Sequence, residues 1–335
     1  MKNIFFLLLS LLVLIVACNN PEKTDDTQSK NDIEISVNKP APDFNADSAY
    51  FFTKKQVDFG PRIPGTEAQN KCAAYLTYIL KRYCKNVIVQ NASVEIYNGN
   101  KVPMKNIIVS FNPENPKRIL LFAHWDTRPY ADQDVKNLNA KFDGADDGAA
   151  SSAILLEIAR CISLNKISVG IDIALFDVED YGPPKNDSKY IEKEDMYALG
   201  TQYWCKNPHV PNYKAYYGIL LDMCAAKNAQ LRIEGSSNAF APSVIKNVWN
   251  TAAGLGYGNI FLTDIANSII DDHTYVNRMN GTPSIDLIWL DPTTKNGFAP
   301  HWHTLNDNMN VLDKVTMKAV GQTLLQVIYN EPSQY

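Results

Sequence analysis

The chain has no Cys-x-x-Cys pair, no Gly-x-Ser-x-Gly elbow, no phosphate-binding Gly-x-x-x-x-Gly-Lys loop and no Gly-x-Gly-x-x-Gly turn. Those absences argue against a cysteine-held zinc, a serine hydrolase, and nucleotide or dinucleotide chemistry. Basic clusters are also missing, and the formal net charge is −4, which argues against a nucleic-acid partner. Histidine is scarce, with five in 335 residues, so each one carries information. Beyond residue 40 neither a repeat nor a second shift in composition divides the chain. Residues 41–335 therefore read as a single catalytic-size domain.

The long apolar run, Ile4–Val16, stands behind Lys2 and ends in Ile15-Val16-Ala17-Cys18. It is too short and wrongly flanked for a membrane span. It looks like a bacterial lipoprotein leader covering residues 1–18, with Cys18 as the residue to be lipidated. Anchoring at Cys18 in the bacterial cell envelope follows as an expectation. Residues 19–40, rich in Asn, Asp, Lys, Ser and Thr, read as a flexible tether. Five cysteines remain after Cys18. An odd count leaves room for one disulfide without choosing a pair, and Cys224 is a candidate for lining a site.

Apolar runs that end in charge recur along the rest of the chain. Arg118–Ala123 reads as a buried parallel strand, followed by His124, Asp126, a polar loop with Asp143, then Asp146 and Asp147 before a helix from Ala149. Ligands of open α/β sheets bind at the carboxyl ends of strands. Imidazole with carboxylates suits zinc. The same loop also reads as a solvated acidic segment that caps the helix, and its residues alone do not separate the two. The strand over 169–176 ends in Asp177, Glu179 and Asp180, and the strand over 216–221 ends in Asp222. Asp271-Asp272-His273 reads as a loop, and His301-Trp302-His303 lie together in another. An extended chain would turn His301 and His303 to opposite sides, so one of them is expected at a metal. His209 reads as surface loop. A helix capped by Thr66 and a strand pair over 87–97 and 102–111 complete the front of the domain. Strands alternating with helices imply a three-layer α/β/α sandwich with a mixed, mostly parallel sheet.

The ordered series HWD, GADD, VED, LLD and a late WHT resembles the zinc aminopeptidase superfamily. AHWDTRP, FDVEDYG, DDH, GTPSIDLI and HWHTLNDNMNVLD narrow the resemblance to its glutaminyl cyclase branch, over residues 52–329. The resemblance implies zinc on Asp147, Asp180 and His303, and Glu179 as general base. It implies Asp222 and Asp271 as acidic partners near the base and the substrate amine, and Trp302 as an aromatic pocket wall. It also implies cyclisation of N-terminal glutamine in peptides and proteins, with one zinc per chain. Asp180 stands where animal cyclases have Glu, and Asp286, grouped with the pocket, where they have His. Ala123 replaces a disulfide cysteine, and Tyr181–Tyr197 is an insertion. A two-zinc aminopeptidase would instead add His124 and Asp222 around Asp147, with Asp126 behind. A non-catalytic surface binder fits poorly, since Glu179 and the ligand triad are intact.

Overall fold

In the computed structural model the described residues are 40–185, 187, 189–190 and 194–332. The expected leader and all but the last residue of the expected tether lie outside them. Helices α1 (Ala46–Val57) and α2 (Glu67–Tyr83) come first. Thr66 caps α2 as expected, its side chain accepting the Gln69 N–H. The hairpin β1 (Val87–Glu95) and β2 (Lys101–Phe111) follows, then β3 (Arg118–His124). Next come α3 (Ser151–Leu164), β4 (Gly170–Phe176), α4 (Leu199–Lys206) and β5 (Tyr217–Asp222). The small pair β6 (Leu231–Ile233) and β7 (Phe261–Ile265) encloses α5 (Gly235–Phe240) and α6 (Pro242–Gly254). Helix α7 (Asp272–Tyr275), strand β8 (Ser284–Ile288) and helix α8 (Lys314–Asn330) close the chain.

The main sheet runs β1-β2-β4-β3-β5-β8. β4, β3, β5 and β8 are parallel, and β2 joins β4 antiparallel. The expected mixed sheet and three layers are therefore present. β3, β4 and β5 are buried along their whole length, as strands covered on both faces must be. Their side chains alternate between two cores. Ile119, Leu121, Ile171 and Ile173 face the larger one with α3 and α8, while Leu120, Phe122 and Phe176 meet Trp204 and Tyr213. The carboxyl ends of these strands bring His124, Glu179, Asp180 and Asp222 to one rim.

Some expectations change. Asp271 is the N-cap of α7, accepting the Asp272 N–H, instead of a free loop residue. Among the described residues the five cysteines are free, and Cys224 is buried against Ser151 instead of lining the site. The His209 side chain is buried and stacked on Trp204. The ring fills a gap beside Asp172, which a loop composition of Asn and Pro does not reveal.

Candidate active site

Gly144 and the turn Ala145–Ala150 carry Asp146 and Asp147 between β3 and α3. The neighbouring carboxylates have separate work. Asp146 accepts the Ala225 N–H at 2.9 Å and meets His301 Nε2 at 2.9 Å. Asp147 points between two imidazoles. Its Oδ1 lies 3.0 Å from His124 Nε2, and its Oδ2 lies 3.5 Å from His303 Nε2. Asp307 fixes the turn by accepting the N–H groups of Asp146 and Asp147 at 2.8 and 3.3 Å. Gly148 is required by contact, since a Cβ there would sit 2.5 Å from His124 Nε2.

His301 and His303 do part company, as expected, but by a different route. The chain turns there, and His303 itself takes a left-handed φ of 52°. Val178, just before Glu179, has φ 56°, and Met223, just after Asp222, has φ 41°. Non-glycine residues seldom adopt this region, and such strain gathers at functional sites. It turns the chain sharply off two strands and aims the following or preceding carboxylate at the rim.

Two sets of ligand-type side chains share Asp147. One is Asp147, Asp180 and His303, and the other is His124, Asp147 and Asp222. His303 Nε2 lies 3.0 Å from Asp180 Oδ2, and His124 Nε2 lies 3.1 Å from Asp222 Oδ1. Ligands of a tetrahedral zinc at about 2.0–2.1 Å stand roughly 3.3 Å apart, so the spacing suits zinc. Asp147 Oδ2 and Asp180 Oδ2 are buried with no partner in hydrogen-bonding geometry. Leaving such oxygens unpaired is costly, and a cation among the first set relieves it. The residues of the first set therefore fit a zinc ion.

Behind each imidazole stands another aspartate. Asp126 Oδ1 lies 3.5 Å from His124 Nδ1, and Asp132 Oδ1 lies 3.3 Å from His303 Nδ1. Asp126 also accepts the N–H groups of Glu179 and Asp180 at 3.1 and 3.3 Å, so it holds the strand end that carries them. Arg128 binds Asp132 at 2.7 Å and Asp180 Oδ1 at 3.0 Å. Asp180 Oδ2 is thereby left turned toward Asp147 and His303, where a metal would sit. Sequence reasoning missed Arg128 and Asp132. Their spacing of four residues within the loop after His124 is the signal that was available.

A cavity of about 490 Å³ opens over the first set, in the range that takes small ligands. Asp147, Glu179, Asp180, Asp222, Asp271, Trp302 and His303 line it, with Arg128, Asp132 and Lys185. Burial, with Asp180 and Asp271 nearby, pushes the Glu179 carboxyl well above its ordinary range. Burial raises Asp222 to about 6 against the pull of His124. Burial and then Asp222 raise Asp271 to about 7. Trp302 is half-buried, its ring 4.0 Å from that of His303 and 4.2 Å from that of Phe298.

Asp286 differs from expectation. It is fully buried and does not line the cavity. It stands behind Asp271, with Oδ2 3.6 Å from His273 Nδ1, and His273 Nε2 meets Glu234 at 3.0 Å. β8 is buried along its whole length, and its pleat turns Ile285 and Leu287 to the larger core and Asp286 to the opposite side. Asp177, another strand-end acid, accepts from Gln69 and Lys105 at 2.6 and 2.7 Å and serves the fold. The expected insertion contributes Pro183, Lys185 and Tyr197 to the cavity.

Residues 106–328 match peptidase family M28. The chain belongs to this family. Among solved structures, a glutaminyl cyclase of Bacteroides thetaiotaomicron, bound to N-acetylhistamine, is 48% identical with a TM-score of 0.85. The match covers 87% of this chain and 100% of that one. A zinc-dependent exopeptidase of Parabacteroides distasonis is 50% identical, with the same TM-score and coverage. The glutaminyl-peptide cyclotransferase of Gloydius blomhoffii is 25% identical over 257 residues, 68% of this chain. The chain spans 65% of the length of that curated relative. Family M28 and the zinc-dependent neighbour accord with a zinc ion among these ligand-type side chains.

Proposed function

We propose that this M28 protein cyclises N-terminal glutamine of peptides and proteins to pyroglutamate, releasing ammonia. The observation that carries the reading is an asymmetry between the two ligand sets. The orphaned carboxylate oxygens, Asp147 Oδ2 and Asp180 Oδ2, lie on the His303 side. On the other side Asp222 Oδ1 is already hydrogen-bonded to His124. One zinc on Asp147, Asp180 and His303 suits a cyclase, whereas a two-zinc aminopeptidase needs both sets loaded. The bacterial cyclase that matches along its entire length supports the same choice.

Zinc held there would supply Lewis-acid stabilisation at the γ-carboxamide oxygen of the glutamine. The chain's own residues do the rest. The acidic wall of Glu179, Asp222 and Asp271 receives the substrate's α-amine. Glu179 takes a proton from that amine as its nitrogen attacks the γ-carboxamide carbon. A C–N bond forms in the ring, the carbon–amide nitrogen bond breaks, and the proton passes from Glu179 to the departing ammonia. Asp271 sets the charge around Glu179 and orients it. The attack is intramolecular, so holding the glutamine bent supplies a large effective molarity. Trp302 walls the substrate side chain. Side-by-side assays of Gln-peptide cyclisation and aminoacyl-amide hydrolysis test the reading. Faster hydrolysis, with two zincs per chain both needed for it, would replace the cyclase with an aminopeptidase.

We also propose that the mature protein starts at a lipidated Cys18 and is held to the cell envelope through residues 19–40. The motif at residues 15–18 supports this. Cys18→Ser should release the protein from membranes. Mass spectrometry finding an unmodified start downstream of residue 18 would refute it.

A further inference from the structure

The cavity contains six carboxylates, those of Asp132, Asp147, Glu179, Asp180, Asp222 and Asp271. Such a lining favours an amine at depth and opposes a carboxylate. Two lining residues, Arg128 and Lys185, carry fixed positive charge. Arg128 is buried and spent, its donors taken by Asp132, Asp180 and the Pro183 carbonyl. Lys185 is different. It is exposed, and among the described residues it has no carboxylate within ion-pair distance. Its Nζ donates to Gln133 Oε1 at 2.8 Å, which leaves two of its three N–H groups for another acceptor.

This lysine is also placed by the fold and not merely solvated beside it. Its backbone N–H donates to Asp132 Oδ2 at 3.0 Å, and two residues earlier the Pro183 carbonyl accepts from Arg128 at 2.9 Å. The partner that steadies its side chain, Gln133, donates its own N–H to the His303 carbonyl at 3.1 Å. Both ends of the Lys185–Gln133 contact are thus tied to residues that hold Asp180 and His303. The cavity is larger than one amino-acid residue, so a chain with its first residue among the carboxylates has its second within these walls.

We propose that Lys185 is a specificity-determining residue that receives a substrate carboxylate immediately beyond the N-terminal glutamine. The carboxylate is the side chain of a following Glu or Asp, or the terminus of a dipeptide. The proposal rests on the cyclase reading and adds a substrate class to it. The charge reversal at Lys185 makes Gln-Glu and Gln-Asp chains better substrates than Gln-Lys chains, in a cavity whose other charges would favour the reverse.

The test uses the zinc-loaded full-length protein and compares kcat/KM for Gln-Glu-Ala-amide, Gln-Gln-Ala-amide and Gln-Lys-Ala-amide. Gln-Ala and Gln-Ala-amide separate the terminal carboxylate from the side chain. Exposed charge pairs are weak, so the Glu peptide should exceed the Gln peptide by about two- to five-fold. Salt raised from ~0.05 to ~0.5 M should shrink the ratio. Lys185→Ala should bring the Glu-to-Gln ratio to one or below, and Lys185→Glu should favour the Lys peptide. Lys185 is exposed, so neither change disturbs the fold. Turnover of all peptides with ratios unaltered by Lys185→Glu overturns this proposal alone. No turnover of any peptide by the native protein overturns the cyclase reading and this proposal with it.

Discussion

The two imidazoles that share Asp147 are built alike and finished differently. His124 ends β3 and His303 comes off a loop, yet each meets Asp147 through Nε2 and has an aspartate behind its Nδ1. On the His124 side the third carboxylate, Asp222, is hydrogen-bonded to the ring. On the His303 side the oxygens of Asp147 and Asp180 have no partner in hydrogen-bonding geometry, Arg128 fixes the remaining oxygen of Asp180, and Trp302 covers the ring. The difference lies in the neighbours and not in the ligand types. A count of His and Asp residues finds two equal metal sites, whereas the hydrogen bonds distinguish a set whose third carboxylate is bonded to its imidazole from one with two buried carboxylate oxygens that a cation would satisfy.

The strongest way to break this comparison is to remove the shared residue. Asp147→Ala should lose zinc and cyclisation together, because a three-ligand site short of one ligand holds metal poorly. The loss should exceed the roughly 10- to 100-fold seen when an outer partner of a metal ligand is removed. Asp222→Asn should keep one zinc per chain. Elemental analysis of the two variants reads the asymmetry directly, and loss of zinc in Asp222→Asn would mean that the His124 side also carries metal.

Next in size is Glu179→Gln, which keeps shape and removes proton acceptance. Zinc content and thermal stability should be native, while kcat falls by about 10²–10⁴. Native kcat would move the base to Asp271 or Asp222. Lost zinc would exchange the roles of Glu179 and Asp180.

Asp132→Asn tests whether the aspartate behind His303 sets zinc affinity. Removing such a partner typically costs about 10- to 100-fold in metal affinity or activity. Competition with a chelator should show that loss for Asp132→Asn. Equal affinity in the variant would reduce Asp132 to a partner of Arg128.

These contrasts also mark what a sequence can and cannot disclose. Glu179, Asp180 and Asp222 were legible because a strand buried on both faces is an apolar run, and the charge that ends it stands at the ligand-binding rim. Asp147 was legible from GADD before a helix. Arg128 and Asp132 were not, because an irregular loop has no period to show which side chains turn inward. The left-handed residues Val178 and Met223 were also hidden, since nothing in a valine or a methionine announces positive φ. Asp286 was grouped with the pocket because the resemblance aligned it with a His of animal cyclases, while the pleat of β8 puts it behind Asp271, on the side away from Ile285 and Leu287. His209 illustrates the opposite error, a polar-looking loop whose ring is held between Trp204 and Tyr213.

A smaller effect follows from Asp271, raised from 3.8 to about 7 by burial and then by Asp222. An acid whose folded pKa exceeds its unfolded value binds more protons when folded. Stability therefore falls as pH rises from about 4 to about 7. Removing the titrating group in Asp271→Asn should flatten that fall. Melting curves of the zinc-free protein at pH 4.5 and 8 check it, and identical pH dependence in the two proteins would show that Asp271 ionises freely.

The least disruptive change tests the aromatic cover that distinguishes the His303 side. Trp302 is only half-buried, and its contacts are the His303 ring on one hand and Phe298 with the Met223, Ile288 and Leu290 cluster on the other. Its ring lies at the cavity wall and outside the two large cores. Deleting it should therefore subtract binding area from the substrate more than packing from the fold. Loss of about 1–2 kcal/mol of apolar contact corresponds to a rise of roughly five- to thirty-fold in KM. In Trp302→Ala that rise should come with kcat within about three-fold of native, because neither the base nor a ligand is removed. A melting temperature within a few degrees of native should accompany it, since a ΔΔG of about 1 kcal/mol shifts a domain of this size by only about 2–4 °C. A collapse in melting temperature with KM unchanged would make Trp302 part of the packing around Ile288, and would leave Phe298 as the aromatic that meets the substrate.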